Sequence, residues 1–225
     1  MRASPPPLRA LLFDLDGTIT DTNELHFQAT ITALKVFGLS IDRQTYMNVV
    51  YGAPNEAIAA HFFPGDDGAK QQRYIDTKEQ VYRDLVTALD PTPGLIRLFE
   101  WVDAHDLRLA LVTNAPRENM ECVLAALNLT DRFDTIVLAE DLPAGKPDPL
   151  PYLTGLRNLG ATADQAIGFE DSEPGLHALQ AAGLFSIGLA TGLSADALLS
   201  HGANLAINDF TAVDLWEILE RRAPL

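Results

Sequence analysis

The chain has 225 residues, 47% of them apolar, with 31 acidic against 16 basic residues and a net charge of −15. That length sets one or two domains with a sizeable core, and the acidic balance excludes a broad nucleic-acid-tracking face. No apolar run reaches the roughly 18 residues of a membrane span, and the single cysteine, Cys122, excludes an internal disulfide framework and fits a reducing cytoplasm.

The opening "MRASPPPLRA" lacks the apolar core of a secretory signal and is read as a short frayed leader. "ALLFDLD" (10–16) is the first strand. Its apolar residues run on without polar alternation, the pattern of a strand covered on both faces of a parallel sheet. It ends in Asp14 and Asp16, two like charges that need an opposite charge nearby. From residue 23 to 88 the pattern turns helical, through "NELHFQATITALKVFG", "PNEAIAAHFF" and "KQQRYIDTKEQVYRDLV". With no strand among them, this interval reads as a helical insert, and "DPTPG" (90–94) as the return hinge, since its prolines oppose helix continuation.

Helix and strand then alternate. A helix over 94–104 precedes "LRLALVTN" (107–114), and a helix from Pro116 to Asn128 holds Cys122 as a packed thiol. "FDTIVLAE" (133–140) is the third strand; "PDPLPYLTGLRNLG" is a helix opened by prolines and stopped by Gly160. "AIGFED" (166–171), a helix between a Ser172 cap and Gly183, "LFSIGLA" (184–190) and "LAIND" (205–209) complete the series. Such alternation predicts an α/β fold: a doubly wound, Rossmann-like parallel sheet formed by 1–22 and 89–225, with 23–88 as an inserted helical domain.

In open α/β sheets ligands sit beyond the carboxyl ends of the strands. Those ends supply Asp14, Asp16 and Thr18; Thr113 and Asn114; Lys146 in "GKPDP"; and Glu170 and Asp171. Clustered carboxylates without cations would raise one another's pKa. A hard divalent ion with oxygen ligands, Mg²⁺, removes that conflict, with Lys146 as a further counter-charge. In an extended strand positions i and i+2 share a side. One aspartate can then hold the metal and attack phosphorus while the other gives and takes a proton. Gly17 permits a sharp turn, and Thr18 and Thr113 offer hydroxyl donors.

"DLDGTITDT", "LVTNA", "GKPDP" and "GFEDSEPG" resemble, in order, the four motifs of the haloacid-dehalogenase superfamily. "DTNELH" and the insert resemble its helical-cap branch, which contains phosphoglycolate phosphatase and beta-phosphoglucomutase. The resemblance implies a Mg²⁺-dependent phosphatase acting on a small phosphorylated metabolite. It implies Asp14 as the nucleophile that forms an aspartyl-phosphate, Asp16 as general acid/base, Thr113 on the phosphoryl oxygens and Lys146 neutralising charge. Asp14, Asp171 and the backbone carbonyl of Asp16 would hold the metal, with Glu170 either a ligand or an orienter.

His26 is either a surface residue or, by the resemblance, a partner of the acid/base aspartate. Asn114 is a substrate contact or a helix cap. Tyr51, Gly52 and Asn55 align loosely with the substrate-facing loop of the cap, and Asp21 and Thr22 are hinge candidates. That loop is uncharged apart from Glu56, whereas the mutase has basic residues there, which argues against mutase-like phosphoryl transfer. Asp16 disfavours dehalogenase chemistry, and the helical insert disfavours a receiver-like phospho-acceptor switch. His61, His105, His177 and His201 show no metal-ligand spacing, and Glu173 serves the first turn of its helix. The expected setting is cytoplasmic, as a monomer or weak homodimer, without nucleic-acid or membrane partners.

Overall fold

The computed structural model describes residues 6–65 and 68–224. Residues 1–5 of the expected leader lie outside the described residues. Strands β1 (Ala10–Phe13), β2 (Arg108–Thr113), β3 (Thr135–Leu138), β4 (Ala166–Glu170), β5 (Phe185–Leu189) and β6 (Leu205–Ile207) form one parallel sheet in the order β3-β2-β1-β4-β5-β6. The order runs outward in both directions from the β1–β4 pair. Where it reverses, the connecting segments diverge and leave a crevice beyond the strand ends. Asp14 follows β1 and Glu170 ends β4, so the acids of two motifs stand at that crevice.

The sheet is covered on both faces. Leu11 and Phe13 of β1 join a cluster with Leu98, Val102 and Val123 from α5 (Leu95–Ala104) and α6 (Arg117–Ala126), and with Leu215 from α10 (Val213–Arg222). Ala10 and Leu12, on the other face, pack with Tyr152 of α7 (Leu150–Leu159) and Leu179 of α8 (Glu173–Ala181). Period-two alternation thus divides a wholly apolar strand between two buried layers. Phe13 and Phe169 stack across neighbouring strands with ring centroids 4.7 Å apart. A short helix, α9 (Ala195–Ser200), covers the far edge beside β5 and β6.

Between β1 and α5 the described residues contain helices but no named strand: α1 (Asn23–Val36), α2 (Arg43–Val49), α3 (Asn55–Phe62) and α4 (Ala69–Leu85). Their apolar faces meet in a separate cluster that includes Leu34, Tyr46, Ile58, Phe63 and Tyr74. The sequence reading lacked α2. Its seven residues are too few for a clear period, but its start is marked by Asp42, whose side chain accepts from Thr45 N at 2.8 Å.

The strands are shorter than their apolar runs suggest. β1 ends at Phe13, so Asp14 and Asp16 lie beyond the ladder, with Asp16 in an isolated bridge to Thr20. Alternation nevertheless persists: Leu15 is fully buried in the core between the two acids. Where the chain passes from β1 into α1 and returns before α5, threonines tie the two links together. Thr20 Oγ1 donates to Asp90 O at 2.8 Å, and Thr92 Oγ1 to Thr18 O at 2.7 Å.

Candidate active site

Beyond the β1–β4 ends lies a cavity of about 550 Å³, walled by the sheet on one side and by α1, α3 and α4 on the other. Asp14, Asp16, His26, Tyr51, Asn55, Thr113, Asn114, Lys146 and Asp171 all line it. Two expected residues do not. Thr18 is buried behind the wall, its hydroxyl without a partner, while its backbone N–H donates to Leu15 O and its carbonyl accepts from Thr92 Oγ1. Glu170 is fully buried beneath the floor.

Lys146 anchors the floor. Its ammonium spends all three N–H bonds, on Asp14 Oδ1 at 2.5 Å, Glu170 Oε1 at 2.6 Å and Val112 O at 2.7 Å. Burial works to lower its pKa, but the two carboxylates outweigh it and hold the lysine above its ordinary value. Its loop is fixed by Asn114, whose amide accepts from Lys146 N at 3.0 Å and donates to Lys146 O at 3.1 Å. The side chain of Asn114 thus braces the Lys146 backbone at the cavity wall, with one N–H left over, and it caps no helix: α6 has Pro116 at its cap.

Glu170 is saturated. Lys146 and Tyr152 donate to Oε1, while the backbone N–H groups of Asp171 and Ser172 and the Ser172 hydroxyl donate to Oε2. Asp14 and Asp171 stand differently. Ligand oxygens of Asp14, Glu170 and Asp171 lie within 4.8 Å of one another. Burial, and then the charges of neighbouring acids, push Asp171 well above the usual carboxylate range. Burial raises Asp14 to about 8 despite Lys146. Three buried acids facing one lysine leave negative charge uncompensated, and their all-oxygen donor set fits a hard divalent cation.

Asp16 is turned the other way. Its Oδ1 accepts from Thr22 Oγ1 at 2.7 Å and Tyr82 OH at 2.8 Å, and His26 Nε2 lies 3.3 Å from it. Burial alone would raise its pKa, but His26, then Thr22 and Tyr82, bring it down to about 2. Tyr82 also stacks flat on the His26 imidazole, ring centroids 4.2 Å apart. The two aspartates thus have different surroundings: Asp14 faces Lys146 and the neighbouring acids, while Asp16 is held by Thr22, Tyr82 and His26.

Close approach makes Gly17 irreplaceable. Its φ is +80°, and a Cβ there would lie 2.2 Å from Asp171 Oδ2. Gly17→Ala is expected to cost about 2 kcal/mol or more through positive-φ strain and the clash, and to displace Asp171. Urea denaturation alongside turnover checks this; a variant as stable and active as the parent would contradict it.

The sequence reading missed much of the opposite wall. Lys78 and Glu79, both buried, project from α4. Lys78 Nζ donates to Glu79 Oε1 at 2.7 Å and Asn55 Oδ1 at 2.9 Å; Asn55 Nδ2 donates to Glu79 Oε1 at 2.8 Å, and Asn119 of α6 to Glu79 Oε2. Burial would raise Glu79, but Lys78, His26 and Asn119 keep its carboxyl below the ordinary value. The insert therefore does bring a cation to the cavity, contrary to the inference from the loop around Tyr51. The signal was present as the spacing of Tyr74, Lys78 and Tyr82, a lysine on the buried stripe of a helix. Tyr51 closes the wall over the floor, its hydroxyl donating to Asp171 Oδ2 at 2.6 Å.

The profile of the haloacid dehalogenase-like hydrolases matches residues 11–189. The chain belongs to the haloacid dehalogenase-like hydrolase family. It is 30% identical over 203 residues to a phosphorylated carbohydrates phosphatase of Thermotoga maritima, covering 87% of this chain and 92% of the relative. It is 28% identical over 211 residues to a beta-phosphoglucomutase of Bacillus subtilis, covering 89% and 92%. A crystal structure of CbbY from Rhodobacter sphaeroides in complex with phosphate superposes with a TM-score of 0.81 at 25% identity, over 92% of this chain and 96% of that one. This haloacid dehalogenase-like chain is accordingly an enzyme of the phosphatase and phosphomutase group. Among its described residues no helix is long and apolar enough to cross a membrane.

Proposed function

We propose that the protein is a Mg²⁺-dependent phosphatase that hydrolyses a small phosphorylated carbohydrate through an aspartyl-phosphate on Asp14. One observation carries this reading: Asp14, Lys146 and Asp171 line the same cavity as Asp16, whose carboxylate meets His26 and Tyr82 of the insert. In this reading residues 1–22 and 89–225 are the catalytic core, and 23–88 is a cap that closes over it.

A carboxylate oxygen of Asp14 forms a bond to phosphorus while the bond from phosphorus to the substrate oxygen breaks. The leaving oxygen takes a proton from the carboxyl of Asp16. Water then attacks the aspartyl-phosphate, giving its proton to the Asp16 carboxylate, and the bond from Asp14 to phosphorus breaks to release phosphate. Splitting one displacement into two in this way is nucleophilic catalysis with a shared acid/base. Asp14, Asp171 and the Asp16 carbonyl would hold Mg²⁺, which when bound neutralises phosphoryl and carboxylate charge. With its oxygens already saturated, Glu170 positions Lys146 and the Asp171 backbone. Thr113 Oγ1 accepts from Ala115 N at 2.9 Å, so its own proton can go to a phosphoryl oxygen.

Charge on the cap wall favours hydrolysis over mutase transfer. Lys78 is paired with Glu79, and Glu56 adds a further negative charge, so the wall offers no net positive charge to a second phosphate. What it does offer is a set of donors and acceptors, Asn55, Lys78, Glu79 and Asn119, suited to sugar hydroxyls. The similarity to the Thermotoga phosphorylated carbohydrates phosphatase and the Bacillus beta-phosphoglucomutase supports the same substrate class.

A panel of sugar monophosphates beside p-nitrophenyl phosphate, with Mg²⁺, tests the reading. Multiple turnovers of released phosphate are expected; a single stoichiometric labelling, or isomerised substrate without phosphate release, overturns it. Lys78→Met should raise KM for the preferred sugar phosphate about 10- to 100-fold, the worth of a hydrogen bond to a charged group. Turnover of p-nitrophenyl phosphate should change little.

A further inference from the structure

A second group of metal-ligating side chains lies on the surface, on the helix that starts two residues past Asp171. Glu173 and His177 stand four residues apart on α8, which places them on one helix face. His201, the residue that caps the end of α9, reaches the same spot. One ligand atom from each lies within 4.8 Å of the others, and the imidazole centroids of His177 and His201 are 5.8 Å apart. His201 Nδ1 is 3.8 Å from Glu173 Oε1, too long for a hydrogen bond. Two imidazoles and one carboxylate thus converge without bonding each other.

We propose that Glu173, His177 and His201 form a site for a borderline divalent transition metal, with Zn²⁺ as its representative, separate from the catalytic floor. The donor set decides the class of ion: imidazole nitrogen suits Zn²⁺, Cu²⁺ and Ni²⁺, whereas Mg²⁺ and Ca²⁺ prefer all-oxygen shells. Bonds of about 2.0–2.2 Å place tetrahedral ligands ~3.4 Å apart. The three groups need to draw in by no more than about an ångström and a half, within the reach of side-chain rotation at a site where Glu173 is 54% and His201 28% exposed. Water completes the shell on the open side. The bound ion links α8 to the end of α9 and so braces the helix that follows the Asp171 motif.

Calorimetric titration of the full chain with Zn²⁺, in saturating Mg²⁺ to occupy the catalytic cluster, tests the site. The wild type should bind one equivalent of zinc more than the His177→Ala/His201→Ala variant, and Glu173→Gln should weaken that equivalent about tenfold. Zinc at about 100 times its Kd should raise the wild-type Tm by roughly 5 °C or more, and leave the double variant unmoved. In wild-type protein, with no substitution needed, zinc should shift the imidazole resonances of His177 and His201 but not those of His61 or His105. Equal zinc binding by wild type and double variant, or unmoved His177 and His201 resonances, overturns the proposal.

Discussion

Asp14→Asn is expected to abolish turnover, by about four orders of magnitude or more, with folding intact. The size follows from the reading of Asp14 as the group that bonds to phosphorus: an amide is not a nucleophile, and loss of a nucleophile in covalent catalysis reaches that range. Intact folding follows from the floor. The amide oxygen of asparagine can still accept from Lys146, and the substitution removes a carboxylate that burial disfavours, raising Asp14 to about 8. The variant should therefore be no less stable than its parent in metal-free buffer. Acid quenching of radiolabelled substrate should trap a protein-bound phosphoryl group on the wild type and none on Asp14→Asn. Turnover within tenfold of wild type, or retained label, would remove Asp14 from the mechanism.

Lys146→Met should damage stability and chemistry together. The lysine is nearly inaccessible and faces two carboxylates, so its loss strands Asp14 and Glu170 in each other's field. Breaking a buried pair from one side costs about 3–5 kcal/mol, and loss of one preorganised charge in the site should lower kcat by ~10²–10³ or more. The pH dependence has a definite sign. Burial already raises Asp14 above its unfolded value with the lysine present, and removing the lysine raises it further. A carboxyl whose folded pKa is raised supports stability below the unfolded pKa and loses it as pH climbs toward the folded one. Denaturation at pH 5 and pH 8 should therefore show the larger deficit at pH 8. A deficit below about 1 kcal/mol at both would mean that the Lys146 contacts contribute little.

The residues legible in advance were those whose position follows from chain order alone. A parallel sheet puts the carboxyl end of each strand on one rim, so acids, threonine and lysine after successive strands had to approach one another. Asp14, Thr113, Lys146 and Asp171 needed only that rule. Thr18 shows its limit: one turn past Asp16 the chain has already dipped beneath the rim, and the hydroxyl faces inward. Asn114 lines the same cavity, but its hydrogen bonds to the Lys146 backbone could not be read from chain order.

The amino-acid order by itself determined the α/β class, the strand series and the acidic motifs, because each rests on local period or on the fixed polarity of a parallel sheet. Tertiary structure alone decided which helix faces meet. It set Lys78 and Glu79 across from the Asp14 floor, gave Asp16 its Tyr82 and His26 partners, enclosed Glu170 between Lys146 and Tyr152, and brought His201 to Glu173 and His177. Those pairings join segments up to 66 residues apart. The rotation of each helix about its axis selects them, and that rotation is settled by how whole apolar faces pack rather than by any short stretch of chain.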